Sequence, residues 1–492
     1  MSHITPKIIN VLCLGFIAFL ILPYLFLISE FSASAQMNWP EFWWVCKNTL
    51  IQSFLSALTG TALGFMVALG LCKIQTEKFK KILTALCFIP FYVPTLFFVL
   101  AVLQVWKDFP MGLWGVVVIH VLMNFGMSAI IIYEGISHKA GSSVDLAMIL
   151  GAGKWKVLSR ILIPLIRFDL FVSFSVLFIY SFLSFSVPML VGGQQVSSFE
   201  VMIYEIIRYE SDWSGAVFIS VLQSLFLGSL FYFTLRPPSQ EKKNQINNSH
   251  WIGIPYLWCI VLLPVGILLL GYSVSFFQSQ FLFQLKQIQS LELFEPILHS
   301  VSLGLSSAVA AFAMSCLATY LYFSTVLAKF VRFFLGPTSA LVGFGVLIWG
   351  NRFHLPETAQ LITAYLLIFH LYFLRNVIFP RLAEIQRQYE LSKILSASEF
   401  QFFKKVAFKS ISSSLFQSSA LLAVWVMGDF VISNMISKHH VSLAQVIQRL
   451  ANQYRLDQAM ILSAGLGILI FMVYSGIQRL GHVVHQTTHK DL

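Results

Sequence analysis

Charge is scarce in this chain. Of 492 residues only 11% are Asp, Glu, Lys or Arg, while 57% are hydrophobic. A soluble sequence carries roughly a quarter charged residues, so a water-soluble globular domain is excluded. Short alternating segments of the membrane-barrel type are also missing. The six cysteines, Cys13, Cys46, Cys72, Cys87, Cys259 and Cys316, form no CxxC pair. They read as small apolar side chains, with no disulfide framework and no metal site. There is no GxxxxGK[ST] phosphate loop, and the lone Gly153-Lys154 pair is followed by Trp155. No HExxH and no paired catalytic carboxylates lie in the apolar runs. An enzyme is therefore not expected, and no cofactor is implied.

What the chain does have is long apolar runs. About 20 such residues cover the ~30 Å hydrocarbon layer as a helix, because lipid offers the backbone no hydrogen-bond partners. The runs predict an all-α integral membrane protein with twelve transmembrane helices. They lie near 8–29, 49–71, 82–106, 113–135, 168–191, 214–235, 252–275, 298–323, 330–350, 359–379, 411–435 and 457–477. With the N-terminus inside, most of the 32 Lys and Arg fall in inside loops. Lys73 to Lys81, Lys139 to Arg167 and Arg381 to Lys409 are the main clusters. This is the positive-inside pattern. It accounts for the net charge of +11 without nucleic acid and puts both termini in the cytoplasm. Ala33-Ser34-Ala35 resembles a cleavage site, but the run before it is long for a signal core and is read as an uncleaved first span.

The chain repeats itself. At a constant offset of 245, Asp145 matches Glu390, Leu150 matches Leu395, Ile166 matches Ile411, Tyr209 matches Tyr454 and Asp212 matches Asp457. At an offset of 250, His120 meets His370 and Glu134 meets Glu384. Residues 1–235 and 251–492 are read as two parallel six-helix repeats, joined by a polar cytoplasmic linker at 236–250. Two similar halves about one axis point first to a transporter.

The loop after the fourth span, Asp145 to Pro164, is too polar to cross lipid. Ser142 and Asp145 give it a capping-box-like start. Gly151-Ala152-Gly153 supplies a turn, a basic amphipathic helix follows, and Pro164 stands where the next span is expected to begin. The product is a helical knob whose apolar side, Leu146, Ile149 and Leu150, suits a groove in a partner. This segment resembles the EAA loop of permeases in binding-protein-dependent ABC importers. Asp145, Leu146 and Ala147 stand for Glu-Ala-Ala, Gly151 for the Gly, and Ile161, Ile163 and Pro164 for the closing Ile-x-Leu-Pro. Ala152 lies in the same turn.

The second loop, 388–409, keeps the acid as Glu390, followed by Leu391. It has Ser396 for the Gly, then Ala397, and Lys409 for the Pro. The resemblance implies a MetI-like permease in a bacterial inner membrane, with coupling loops at 143–164 and 388–409. It further implies a separate ATPase, in two copies, and an extracytoplasmic solute-binding protein.

The double length resembles fused permeases for thiamine and for iron(III). The runs Val191 to Asp212 and Gly115 to Asn124 are closer to the thiamine type, so thiamine or its phosphates is the expected small-molecule substrate, with iron(III) or another solute as the alternative. Intramembrane polar residues are the candidates for the pathway: His120, Asn124, Ser184, His370 and Asp429. For the histidines, interhelical hydrogen bonding is the simpler reading. Trp349 and Trp425 are read first as packing or belt residues, with stacking on an aromatic substrate as the alternative. Glu200, Glu205, Glu210 and Asp212 are read as a solvated outer face. Pro90 and Pro94 are expected to kink the third span. A twelve-helix ion-coupled secondary transporter is the rival of a different class. It offers no reason for a knob in each half, and Lys73 to Lys81 lacks the Gly and Asp that class would place there.

Overall fold

The computed structural model describes residues 6–29, 37–193, 195–210, 212–234, 253–277, 281–323 and 339–490. Every regular element among them is helical. Eight helices there are long and apolar enough to cross a bilayer: Trp39–Cys72, Leu113–Ala140, Lys154–Phe182, Trp213–Leu230, Leu257–Phe277, Phe294–Tyr322, Glu399–Gly428 and Leu456–Val484. The pair Glu77–Tyr92 and Thr95–Val105, bent by 97°, makes a ninth if its two arms form one crossing. Helices Pro6–Ser29 and Ser339–Arg352 lie at the expected first and ninth spans. The expected start of the ninth, the linker 236–250 and Ala33-Ser34-Ala35 fall outside the described residues. The expected tenth span is a helical run from Glu357, interrupted by π turns at Leu366–His370 and Leu374–Ile378.

The helices group into two compact units, residues 37–202 with 225–281, and residues 1–36 with 203–224 and 282–492. This grouping does not follow a cut between the sequence halves. Helix Pro6–Ser29 packs on Ser339–Arg352, and Leu262–Phe277 packs on Thr95–Val105. Each half's opening span therefore joins helices of the other half. In the first of these units Trp39–Cys72 is the central post, lying along Leu113–Gly135 and Ile163–Phe182. Small residues bring the backbones close, as lipid-embedded helices require: a methyl at Gly64 would collide with Ser128, and one at Gly126 with the Cys87 backbone. In the other unit Phe408–Gly428 lies between Phe294–Tyr322 and Leu456–Lys490, with Gly304 against Met427.

The third span does more than kink. Val93 takes extended angles, φ −69° and ψ 131°, because the Pro94 ring disfavours helical angles in the residue before it. Pro90 lies inside Glu77–Tyr92 without ending it. The span after the first knob also differs from expectation. It begins at Lys154 and continues through Pro164 to Phe182. A π turn at Leu158–Leu162 precedes the α segment Ile163–Phe182, so the proline's missing N–H falls where the hydrogen-bond register has just changed. Lys409 follows a π turn at Phe403–Ala407 in the same way, so the turn does not depend on proline. Both of these spans end early. Phe182 is followed by the separate short helix Ser186–Val191, and Gly428 by Val431–Ile436.

Candidate functional site

The two knobs are built alike, bond for bond. In the first, helix Gly141–Ile149 closes at Gly151, whose φ is +80°. The N–H groups of Leu150, Gly151 and Ala152 donate to the carbonyls of Leu146, Met148 and Ala147, each at 3.0 Å. In the second, helix Gln386–Ile394 closes at Ser396, whose φ is +55°. Leu395, Ser396 and Ala397 donate to Leu391, Lys393 and Ser392 at 3.1, 3.0 and 3.0 Å. A left-handed residue just past a helix satisfies its last carbonyls in this manner. The chain then re-enters helix at Lys154–Val157 and at Glu399–Phe402, each followed by its π turn. The helix of the first knob begins at Gly141 with Ala140 before it, so the expected start at Ser142 falls inside the helix. In the second knob Ser398 and Gln401 make the reciprocal capping box.

The roots of the knobs differ. The first rests on an aliphatic core of Val144, Val157, Leu162 and Ile166, with Ala147, Ala152 and Ile161 packed against it. The second rests on rings: Tyr389 stacks on Phe323 at 4.4 Å and meets Phe402 edge-on at 5.2 Å. Lys393 Nζ lies 4.6 Å from the centre of the Tyr389 ring. A hydrogen bond to Tyr389 raises the lysine's pKa above its ordinary value, with burial opposing. Asp145 is half-buried and Glu390 exposed, the latter accepting from Gln386 Nε2 at 3.2 Å. Pro164 is exposed.

The tips are apolar and open. Leu146, Ile149 and Leu150 are 59, 74 and 77% exposed, and Leu391, Ile394 and Leu395 are 52, 77 and 79% exposed. Large side chains at the head of a polar loop lose roughly 1.5–3 kcal/mol each by remaining uncovered, which marks them as a contact surface. An ion pair braces the first knob. Lys139 Nζ meets both oxygens of Asp169 at 2.7 and 2.9 Å, joining the end of the fourth span to the fifth.

The polar pathway candidates fall into small clusters. His120 Nδ1 is 3.5 Å from Ser56 Oγ, and Asn124 Nδ2 donates to the His120 carbonyl at 2.9 Å. His370 Nε2 is 2.8 Å from Ser315 Oγ. Each histidine thus meets a serine on the long helix two expected spans earlier. Ser184 accepts on its carbonyl from Ser198 Oγ at 3.0 Å. Asp429 Oδ2 accepts from the Ile432 N–H at 2.8 Å and from Tyr365 Oη at 3.1 Å, and Tyr365 Oη is 3.0 Å from Ser433 Oγ.

Sequence reasoning passed over Tyr365 and Ser433. It also passed over a matched pair of anchors: the Phe199 N–H donates to Thr49 Oγ1 at 3.1 Å, and the Leu443 N–H to Ser300 Oγ at 2.8 Å. A hydroxyl near the head of each matching long helix was the available signal. The supposed outer acidic face is not uniform. Glu200 is fully buried, and Asp212 Oδ1 caps the next helix by accepting from the N–H groups of Ser214 and Gly215.

The bundle of apolar helices long enough to span lipid thus carries a helical knob set into a basic loop. Residues 60–236, the stretch holding the first knob, match the family described as "Binding-protein-dependent transport system inner membrane component". Among curated proteins, the chain is similar to the thiamine transport system permease protein ThiP of Haemophilus influenzae, 25% identical over 264 residues, 49% of each chain. The Escherichia coli protein of the same name is 26% identical over 199 residues, 37% of each. That of Salmonella typhimurium is 22% identical over 493 residues, 89% of each. The first two matches span half or less of those relatives' length. No solved structure matches the chain.

Proposed function

We propose that this chain is the fused, two-repeat permease subunit of an ABC importer. It forms the solute pathway across a bacterial inner membrane and hydrolyses no ATP itself. Residues 1–235 and 251–492 act as two six-span repeats, with both termini and both knobs in the cytoplasm. A separate ATPase, one copy under each knob, drives the bundle, and an extracytoplasmic binding protein delivers the solute. Thiamine or its phosphates is the substrate, on the strength of the named relatives and of the sequence from Val191 to Asp212.

The observation that carries this reading is the pair of knobs. Two loops 245 positions apart share every closing hydrogen bond, the left-handed tip residue and the following π turn. Both present three uncovered apolar side chains at matching positions. Such tips need a partner with two equivalent grooves, which a pair of ATPase subunits supplies. The test is uptake of labelled thiamine into vesicles containing the chain, its ATPase and its binding protein. Uptake should require ATP and all three components. Uptake without the ATPase would return the protein to the ion-coupled class.

A further inference from the structure

Asp429 is a carboxylate on a spanning segment whose counterpart in the first half is Ser184. The residue stands in the break between helices Phe408–Gly428 and Val431–Ile436. Helix Glu399–Gly428 rises about 45 Å from the root of the second knob at 1.5 Å per residue, so the carboxylate lies at the opposite end of the span from that knob. It is half-buried rather than sealed. A carboxylate on a spanning segment must face water, a partner or a solute. One oxygen caps the short helix, yet the corresponding break in the first half manages without an acid. There Ser184 precedes Ser186–Val191, and no side chain caps that helix. The second half alone therefore places an acid at this break.

The surroundings are aromatic. Trp425, one turn before Asp429, meets Phe369 edge-on at 5.2 Å and lies 6.0 Å from Tyr372. Phe369 in turn stacks on Tyr365 at 5.9 Å, the ring whose hydroxyl donates to Asp429. Trp425, Phe369 and Tyr372 are all half-buried, like the acid. The matching position to Trp425 in the first half is Tyr180, which meets Phe91 and has no carboxylate after it. A negative group beside half-buried aromatic rings is an arrangement suited to an organic cation, by charge and by cation–π attraction.

We infer that Asp429, Trp425 and Phe369 form a recognition subsite in the second half for a positively charged heteroaromatic ring, with the buried Tyr365 holding the carboxylate in place. This rests on the permease reading and narrows it: the solute is a cation that stacks, and only one of the two repeats recognises it.

Two measurements on the full chain test this. In the first, labelled thiamine uptake is compared for wild type, Asp429→Asn and Trp425→Leu in the reconstituted importer. Each substitution should reduce uptake at least ten-fold, while ATP hydrolysis stimulated by the loaded binding protein stays within two-fold. Wild-type uptake in Asp429→Asn, or hydrolysis collapsing together with uptake, overturns the assignment. The second needs no natural substrate. Tryptophan emission of the purified chain is titrated with the cation N-methylnicotinamide and with neutral nicotinamide. A saturable quench by the cation alone, absent from Asp429→Asn and Trp425→Phe, supports the subsite even if the chain carries no thiamine; in that case the substrate reading fails and the subsite stands. Purely linear quenching, or equal saturation by the neutral ring, overturns it.

Discussion

Ser396 shows most clearly how a degraded motif keeps its shape. By sequence it departs from the glycine expected at the tip, yet its φ of +55° places it in the same left-handed region as Gly151 at +80°. A side chain there costs roughly 1–2 kcal/mol, and the second knob carries that cost on an aromatic root instead of an aliphatic one. Gly151→Asn should therefore be mild and Gly151→Val severe, because a β-branched residue resists positive φ. No neighbour lies within 4 Å of a Cβ at Gly151, so the difference is one of backbone and not of space. Co-purification of the ATPase at matched membrane levels checks the order, and equal loss for both would reject it. Conversely, Ser396→Gly should stabilise the second tip by about 1 kcal/mol at most, seen as slower proteolysis within 386–398. Glu390→Ala should matter less than Gly151→Val, since Glu390 is exposed and bonded only to Gln386. Gly151 was legible in the sequence because only a few residue types suit such a turn. Ser396 was not, because its backbone angle is imposed by the helices on either side.

Among elements, the brace between Lys139 and Asp169 makes the two knobs unequal. Ser414 stands at the place of Asp169 in the second half, and no such pair can form there. Lys139→Met leaves a mostly buried carboxylate at Asp169 without its cation, and the first knob should loosen. Exchanging the two charges should restore it. A double-mutant cycle on thermal stability should give a coupling of about 1 kcal/mol, in the range of partly exposed pairs; a coupling of zero would make the pair ornamental.

Hydropathy located the elements well but not their ends. It records how apolar a run is, not whether its hydrogen bonds continue. It therefore began the fifth span after Pro164, where a π turn carries the helix across. It also ran that span and its counterpart past the breaks at Leu183–Phe185 and Asp429–Phe430. The bend at Val93 was legible, because Pro94 acts on its immediate neighbour. The burial of Glu200 was not, because nothing in its local sequence distinguishes it from Glu205.

Across the whole molecule, the constant offset between the two knobs was legible and the grouping of the helices was not. A constant offset survives in sequence because each half must build the same knob on the same long helices. The exchange of opening spans leaves no such trace, since any apolar helix can pack on any other. The central claim is that both knobs dock an ATPase through their uncovered tips. Its most direct measurement is co-purification of the ATPase, with ATP-driven uptake, for wild type and for the paired change Leu150→Glu with Leu395→Glu. A charge on each apolar tip should abolish both signals while the chain remains in the membrane at its normal level. Retention of the ATPase and of uptake by the paired variant would contradict the account.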